Sequence, residues 1–223
     1  MSMLKKIIYS IFLQVLVTAT FAQNNNVPFY NDIIAFRKQD SIQAPPRGAI
    51  LFIGSSSFTM WTDVQKSFPG YTIINRGFGG SSLTDQIRFA NEIVFPYQPK
   101  QIVIYCGEND LAGNDTVSGQ TVLNRFKFLF EMIREKLPNV PIVFISLKPS
   151  PSRAHLFPKM KVANSLIREW LSKQKNTAFV DVYSLMLMSD GKPMPDIFLS
   201  DSLHMNPKGY AIWQKAIRPY LLK

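Results

Sequence analysis

The 223 residues carry 25 lysines and arginines against 15 aspartates and glutamates, a formal net charge of +10, and 46% of them are hydrophobic. That apolar share excludes wholesale disorder, and the length suits a single core. One cysteine forbids an internal disulfide framework and a Cys-rich zinc site. Two histidines, His155 and His204, leave little room for a His-based metal centre.

At the N-terminus Lys5 and Lys6 precede an apolar run, Ile7 to Val17, that leads into Thr20-Phe21-Ala22-Gln23. A basic start, a short apolar stretch and small residues three and one before a cut after Ala22 predict a secretory signal peptide over residues 1–22. A membrane span is the alternative, but the run falls short of the ~20 apolar residues a span needs, and Gln14 interrupts it. Lipid anchoring needs a cysteine at the cut, and the one cysteine is Cys106. Removing residues 1–22 takes away two lysines and no acid, so the charge falls from +10 to +8. The expectation is a secreted or periplasmic protein with no stable membrane anchor.

The remaining basic residues are scattered: no block of five or more occurs, and no basic-aromatic stripe of the kind that binds single strands. This pattern predicts a solvated basic surface and no nucleic-acid partner. Attraction to acidic glycans or anionic membrane surfaces is compatible with it.

Residues 23–48 read as a polar, Asn-rich segment followed by a helix over Phe29–Ile42, which Pro45-Pro46 stops. From residue 49 to 223 short apolar strands alternate with helical segments. The strands are Ala49–Ile53, Thr72–Ile74, Gln101–Tyr105, Pro141–Ile145 and Ala178–Val182. The helices are Leu83–Val94, Val122–Leu137, Met160–Leu171 and Ala211–Leu221. Asn206-Pro207 marks a helix start, an N-cap followed by proline at the first helical position. Continuously apolar strands alternating with helices predict an α/β fold: a single domain, three layers in an α/β/α sandwich, with a central five-stranded parallel sheet. In such folds the working residues lie in loops after the carboxyl ends of the strands.

Those loops carry Gly54-Ser55-Ser56-Ser57 after the first strand, Asn75-Arg76-Gly77-Phe78-Gly79-Gly80 after the second and Gly107-Glu108-Asn109-Asp110 after the third. Asp201-Ser202-Leu203-His204 precedes the last helix. Each block alone has a bland explanation: a turn, a flexible loop, a cap, a histidine with no special role. In this order they resemble the SGNH (GDSL-type) esterase and acylhydrolase superfamily, across about 80% of the chain that follows the signal peptide. The resemblance implies a flavodoxin-like sandwich and a serine hydrolase. It assigns Ser56 as nucleophile, His204 as base and Asp201 as its partner. The oxyanion hole would comprise the Ser56 and Gly80 backbone N–H groups and the Asn109 side chain. Ser55 stands where the family usually has an acid, and the three consecutive serines leave Ser55 and Ser57 as alternative registers.

The chemistry needs these residue types. A serine hydroxyl requires a base within hydrogen-bond reach, and an imidazole must be held in the tautomer that leaves Nε2 free. Neutral donors aimed at the developing oxyanion supply the largest single contribution, and glycine lets backbone approach closely. The implied reaction uses no cofactor and no metal. Its substrate would be a small-molecule or glycan ester, with short acyl groups such as carbohydrate O-acetyls favoured and a lysophospholipase or thioesterase as the alternative.

The other residues near these blocks read as structural. Glu108 and Asp110 read as loop braces, Arg153 and His155 as a solvated loop, Cys106 as a buried small side chain. Phe58, Trp61 and Phe78 suit either core packing or the wall of an acyl pocket. Two rivals stand beside the hydrolase: a dinucleotide loop at Gly77-Phe78-Gly79, whose third glycine is replaced by Ser82, and a non-catalytic glycan-binding module on the same scaffold.

Overall fold

A computed structural model describes residues 27–223. The signal peptide expected over 1–22 lies outside them, as do residues 23–26 of the polar segment. Helix α1 (Tyr30–Ile42) belongs to an N-terminal unit ending at Gln43, and Ala44–Lys223 forms a second unit.

Within the second unit the strands β1 (Ile50–Gly54), β2 (Ile73–Gly77), β3 (Gln101–Tyr105), β4 (Ile142–Ile145) and β5 (Thr177–Val180) build one sheet in the order β2-β1-β3-β4-β5. Every neighbouring pair is parallel. The connections are α2 (Ser56–Thr59) and α3 (Val64–Ser67) after β1, then α4 (Leu83–Arg88) and α5 (Ala90–Ile93) after β2. Next come α6 (Glu108–Gly113) and α7 (Gly119–Lys136) after β3, and α8 (Phe157–Leu171) after β4. A short α9 (Val182–Leu185) and the last helix, α10 (Pro207–Ile217), follow β5. This is the α/β/α sandwich the alternating pattern predicts.

All five residues of β1 and of β3 are buried, so successive side chains feed two cores. Ile50, Phe52, Val103, Tyr105, Val143 and Ile145 share one core with Phe58, Trp61 and Trp213. There Trp213 of α10 stacks edge-on against Tyr105 at 4.6 Å and Phe58 at 6.2 Å. On the other face Phe144 meets Phe126 of α7 at 4.6 Å. Phe58 and Phe78 are thus buried packing residues, while Trp61, equally buried, also lines a cavity.

Several boundaries differ from the periodicity. The helix expected over Leu83–Val94 breaks at Phe89 into α4 and α5, where Phe89 leaves helical geometry. Strand β2 continues through Asn75-Arg76 to Gly77, because backbone pairing with β1 runs to Gly54↔Gly77 whatever the side chains' polarity. Asn206 caps α10 as its sequence implies, its Oδ1 accepting from the Lys208 and Gly209 N–H groups.

Candidate active site

Strand order places β1 and β3 side by side while their connections diverge, the point at which open parallel sheets bind ligands. The β1 end turns sharply. Gly54 has φ +148°, and a Cβ there would sit 1.9 Å from the Tyr105 carbonyl oxygen, so no other residue fits. Ser55 N–H donates to that same Tyr105 oxygen at 3.1 Å, and Ser56 becomes the first residue of α2. Its N–H lies in the first turn of a helix, where no intrahelical acceptor exists.

The β2 loop packs onto this turn. Phe78 N–H donates to Gly54 O at 3.0 Å, and a Cβ on Gly79 would lie 3.9 Å from Ser56 Cβ. Gly80, next in the chain, is exposed with φ +82°, a left-handed conformation that glycine adopts without strain. Two buried polar residues hold the loop from beneath. Gln86 Nε2 donates to Ser81 Oγ at 2.9 Å, and Ser81 Oγ donates to Phe78 O at 2.8 Å.

The last loop is folded by its own aspartate. Asp201 Oδ1 accepts from the Leu203 and His204 N–H groups, each at 2.9 Å, while Ser202 takes φ +54°. Leu199 N–H donates to His204 O at 2.7 Å and closes the turn. The second Asp201 oxygen, Oδ2, lies 2.6 Å from His204 Nδ1, and His204 Nε2 lies 3.0 Å from Ser56 Oγ. Backbone donation from His204, then donation from its ring, lowers the Asp201 carboxyl to about 2. A carboxylate only accepts, so Nδ1 carries the ring proton and Nε2 is left to receive the Ser56 hydroxyl proton. The neighbouring serines are differently placed: Ser55 and Ser57 are buried, and Ser57 Oγ has no partner among the described residues.

Asn109 lies in α6 beside these groups. Its Nδ2 donates to Ser81 O at 2.9 Å, the residue after Gly80, and its Oδ1 accepts from Arg153 Nη2 at 2.9 Å. The structure therefore joins Ser56, His204 and Asp201 by hydrogen bonds, and bonds Asn109 to the residue that follows Gly80. Asp110 is a brace as expected, accepting from Leu83 N–H at 2.9 Å and Arg125 at 2.7 Å. Cys106 is buried, and burial raises its thiol well above the usual range.

Arg153 is not the solvated residue its loop suggested. It pairs with Glu108 at 3.0 Å, and Glu108 also accepts from Lys148 at 2.9 Å and from the Tyr105 hydroxyl. Burial pushes the Glu108 carboxyl up, but Lys148 and Arg153 outweigh it and hold it below its ordinary value. Glu108, Lys148 and Arg153 are separated by 40 residues or more in all but one pairing, so no local pattern reveals the cluster. The one available signal was two basic residues in the loop after β4 facing an acidic residue in the loop after β3.

Among the described residues no group of three or more His, Cys, Asp and Glu side chains is arranged to hold a metal ion. A cavity of about 410 Å³ opens between α2 and α10, lined by Met60, Trp61, Leu199, Met205, Tyr210 and neighbours.

An α/β sandwich with a serine, a histidine and an aspartate in line at its carboxyl edge defines a hydrolase scaffold. The chain belongs to the GDSL-like Lipase/Acylhydrolase family, which it matches over residues 40–212, and is a carboxylic ester hydrolase. Among curated proteins, none matches it. Solved structures share its fold. A GDSL-like lipase from Bacteroides thetaiotaomicron is similar at TM-score 0.73 and 20% identity, over 84% of this chain and 96% of that one. A variant of Axe2, an acetyl-xylooligosaccharide esterase from Geobacillus Stearmophilus, is similar at TM-score 0.63 and 15% identity, over 80% and 96%. A carbohydrate esterase family 3 protein from Talaromyces cellulolyticus is similar at TM-score 0.60 and 15% identity, over 77% and 95%.

Proposed function

We propose that the protein is an exported serine esterase that removes short acyl groups, such as O-acetyl groups on carbohydrates, through an acyl-enzyme on Ser56. One observation carries this reading: the continuous chain Ser56 Oγ···His204 Nε2 at 3.0 Å and His204 Nδ1···Asp201 Oδ2 at 2.6 Å. Ser56 Oγ attacks the ester carbonyl carbon while its proton passes to Nε2. The tetrahedral oxyanion takes hydrogen bonds from the Ser56 and Gly80 N–H groups and the Asn109 amide. The carbon–oxygen bond to the alcohol breaks as His204 returns the proton to the leaving oxygen. Water then attacks the acyl-enzyme, giving its proton to His204, and the acyl carbon–Ser56 Oγ bond breaks as His204 returns that proton to Oγ, releasing the carboxylic acid. Asp201 holds the ring and stabilises the imidazolium.

Two observations support the acyl preference: two of the structural relatives above carry carbohydrate-ester names, and the signal-peptide reading puts the enzyme outside the cytoplasm, where acetylated glycans occur. A second reading is a longer-chain acylhydrolase, for which the cavity of about 410 Å³ is the candidate acyl site: Met60, Trp61, Leu199 and Met205 line it together with the polar Asp63, Ser67 and Gln214. A p-nitrophenyl ester series from acetate to laurate, run beside acetylated xylan and a lysophospholipid, separates the two. Fastest turnover on acetate with release of acetate from xylan supports the first, and a maximum at longer chains overturns it. Fluorophosphonate labelling with peptide mapping tests the nucleophile: an adduct on Ser55 or Ser57 would refute Ser56. No hydrolysis above a Ser56→Ala control would favour a binding module.

A further inference from the structure

Asparagine at an oxyanion hole is useful only when its amide points the right way, because carbonyl and amine ends are nearly the same size. Here two neighbours determine the orientation independently. A guanidinium only donates, so the end of Asn109 facing Arg153 Nη2 at 2.9 Å must be the carbonyl oxygen. A backbone carbonyl only accepts, so the end facing Ser81 O at 2.9 Å must be the amine. Nδ2 has two protons, and Ser81 O takes one of them. The other is left for a substrate oxygen.

Arg153 is itself held. Its Nη1 lies 3.0 Å from Glu108 Oε1, and Glu108 is anchored through its other oxygen by Lys148 Nζ at 2.9 Å and by the Tyr105 hydroxyl. The side chains of Glu108 and Lys148 are each 3% exposed, so this is an interior ion cluster beneath the site. Burying these charges is costly until their mutual attraction offsets it, and a plain apolar filling would serve stability as well. The cluster also reaches the histidine loop: Ser152 N–H donates to Ser202 O at 3.0 Å, and Ser150 Oγ lies 3.3 Å from both Glu108 Oε1 and Leu203 O.

We infer that Arg153, fixed by buried Glu108, is a positioning residue that locks the Asn109 amide with its free N–H toward the oxyanion and polarises it. The inference rests on Asn109 being an oxyanion donor. A cationic donor on the amide oxygen draws electron density away from Nδ2 and strengthens its outward hydrogen bond. Arginine suits the task because its planar fork reaches Glu108 and Asn109 at once, which a single ammonium does not.

The test is a kinetic double-mutant cycle on p-nitrophenyl acetate with Arg153→Lys, Asn109→Ala and the pair. Lysine keeps the charge beside Glu108, so thermal stability stays close to that of the parent, whereas Arg153→Met leaves Glu108 short of a partner and lowers it. For Arg153→Lys, kcat falls about 10- to 100-fold with KM nearly unchanged, the scale of a misplaced catalytic group. Asn109→Ala lowers kcat about 10²- to 10³-fold. Adding Arg153→Lys to Asn109→Ala produces no further loss, because its effect passes through the amide. Independent, multiplicative losses overturn the inference, as does an Arg153→Lys effect confined to KM, the mark of direct substrate contact. If Asn109→Ala loses kcat while Arg153→Lys keeps it, the positioning role alone fails. If Asn109→Ala is as active as the parent while Ser56→Ala is inactive, the oxyanion assignment fails and the inference with it.

Discussion

The buried Asp110 carboxylate accepts the Leu83 N–H at 2.9 Å and so ties the loop after β3 to the first turn of α4. That bond joins the segment bearing Asn109 to the segment bearing Gly80, and Arg125 at 2.7 Å balances the charge. Asp110→Ala would leave a buried N–H without an acceptor and Arg125, still about one-third exposed, without a counter-ion. The expected cost is about 2–4 kcal/mol, the upper part of the range being discounted because Arg125 reaches solvent. Urea unfolding of the variant and of Asp110→Asn, which keeps an acceptor oxygen, measures it. Equal stability of Asp110→Ala and the parent would contradict the brace.

Ser57 presents the opposite case. Its hydroxyl is buried with no partner among the described residues, while its backbone carbonyl accepts from the Tyr210 hydroxyl at 2.9 Å. Removing an unsatisfied buried hydroxyl is close to neutral, so Ser57→Ala should change stability by no more than about 1 kcal/mol, in either direction. Turnover should persist and a fluorophosphonate should still label Ser56. An inactive but folded Ser57→Ala would instead shift the nucleophile's register.

The two outcomes show what the sequence could and could not reveal. Sheet and helices were legible from local apolar runs, but Ser56, Gly80, Asn109, Asp201 and His204 were singled out only by the family resemblance that their blocks carry in order, the last of these an Asp-x-x-His spacing that one loop satisfies. The Asp201 carboxylate shows how local that last signal is, since it folds its own loop through Leu203 and His204 N–H. The Glu108–Lys148–Arg153 cluster was not legible. Its members meet only because β3 and β4 are adjacent in the sheet, and a lone arginine in a polar loop looks like any solvated charge. The break at Phe89 was hidden for a related reason: apolar spacing continues across it while the backbone does not.

Cys106 supplies a probe of the core. It directly follows β3, fully buried, with its sulfur 3.7 Å from Ser81 O, and burial followed by the charge of Asp110 raises its thiol. Thiolate is the reactive form, so the native protein should be nearly inert to a disulfide reagent at neutral pH and react with one equivalent once unfolded. Following the reaction across a denaturant series should therefore trace the opening of the loop beneath Gly80. Rapid labelling of the native protein would show that this segment opens readily without denaturant.

Asp201 carries the pH prediction. Its carboxyl sits at about 2, chiefly because His204 N–H and then the His204 ring donate to it. A depressed value means that its contribution to folding is fully present above the unfolded value of about 3.9 and is lost as pH falls through about 2. Because nearly half of the side chain is exposed, that contribution is screened, and the main effect of Asp201→Asn should be on chemistry rather than folding. Asparagine can still accept the Leu203 and His204 N–H groups, so the turn survives. Its NH₂ would face Nδ1, however, favouring the tautomer with the proton on Nε2 and leaving Ser56 without a base. The expected loss in kcat is about 10³- to 10⁴-fold with KM little changed, as measured by steady-state kinetics on p-nitrophenyl acetate at neutral pH. The stability gap between the two proteins, measured by urea midpoints, should be small at neutral pH and shrink further below about pH 3. A variant retaining more than about one-tenth of parental kcat would show that His204 holds its tautomer without Asp201.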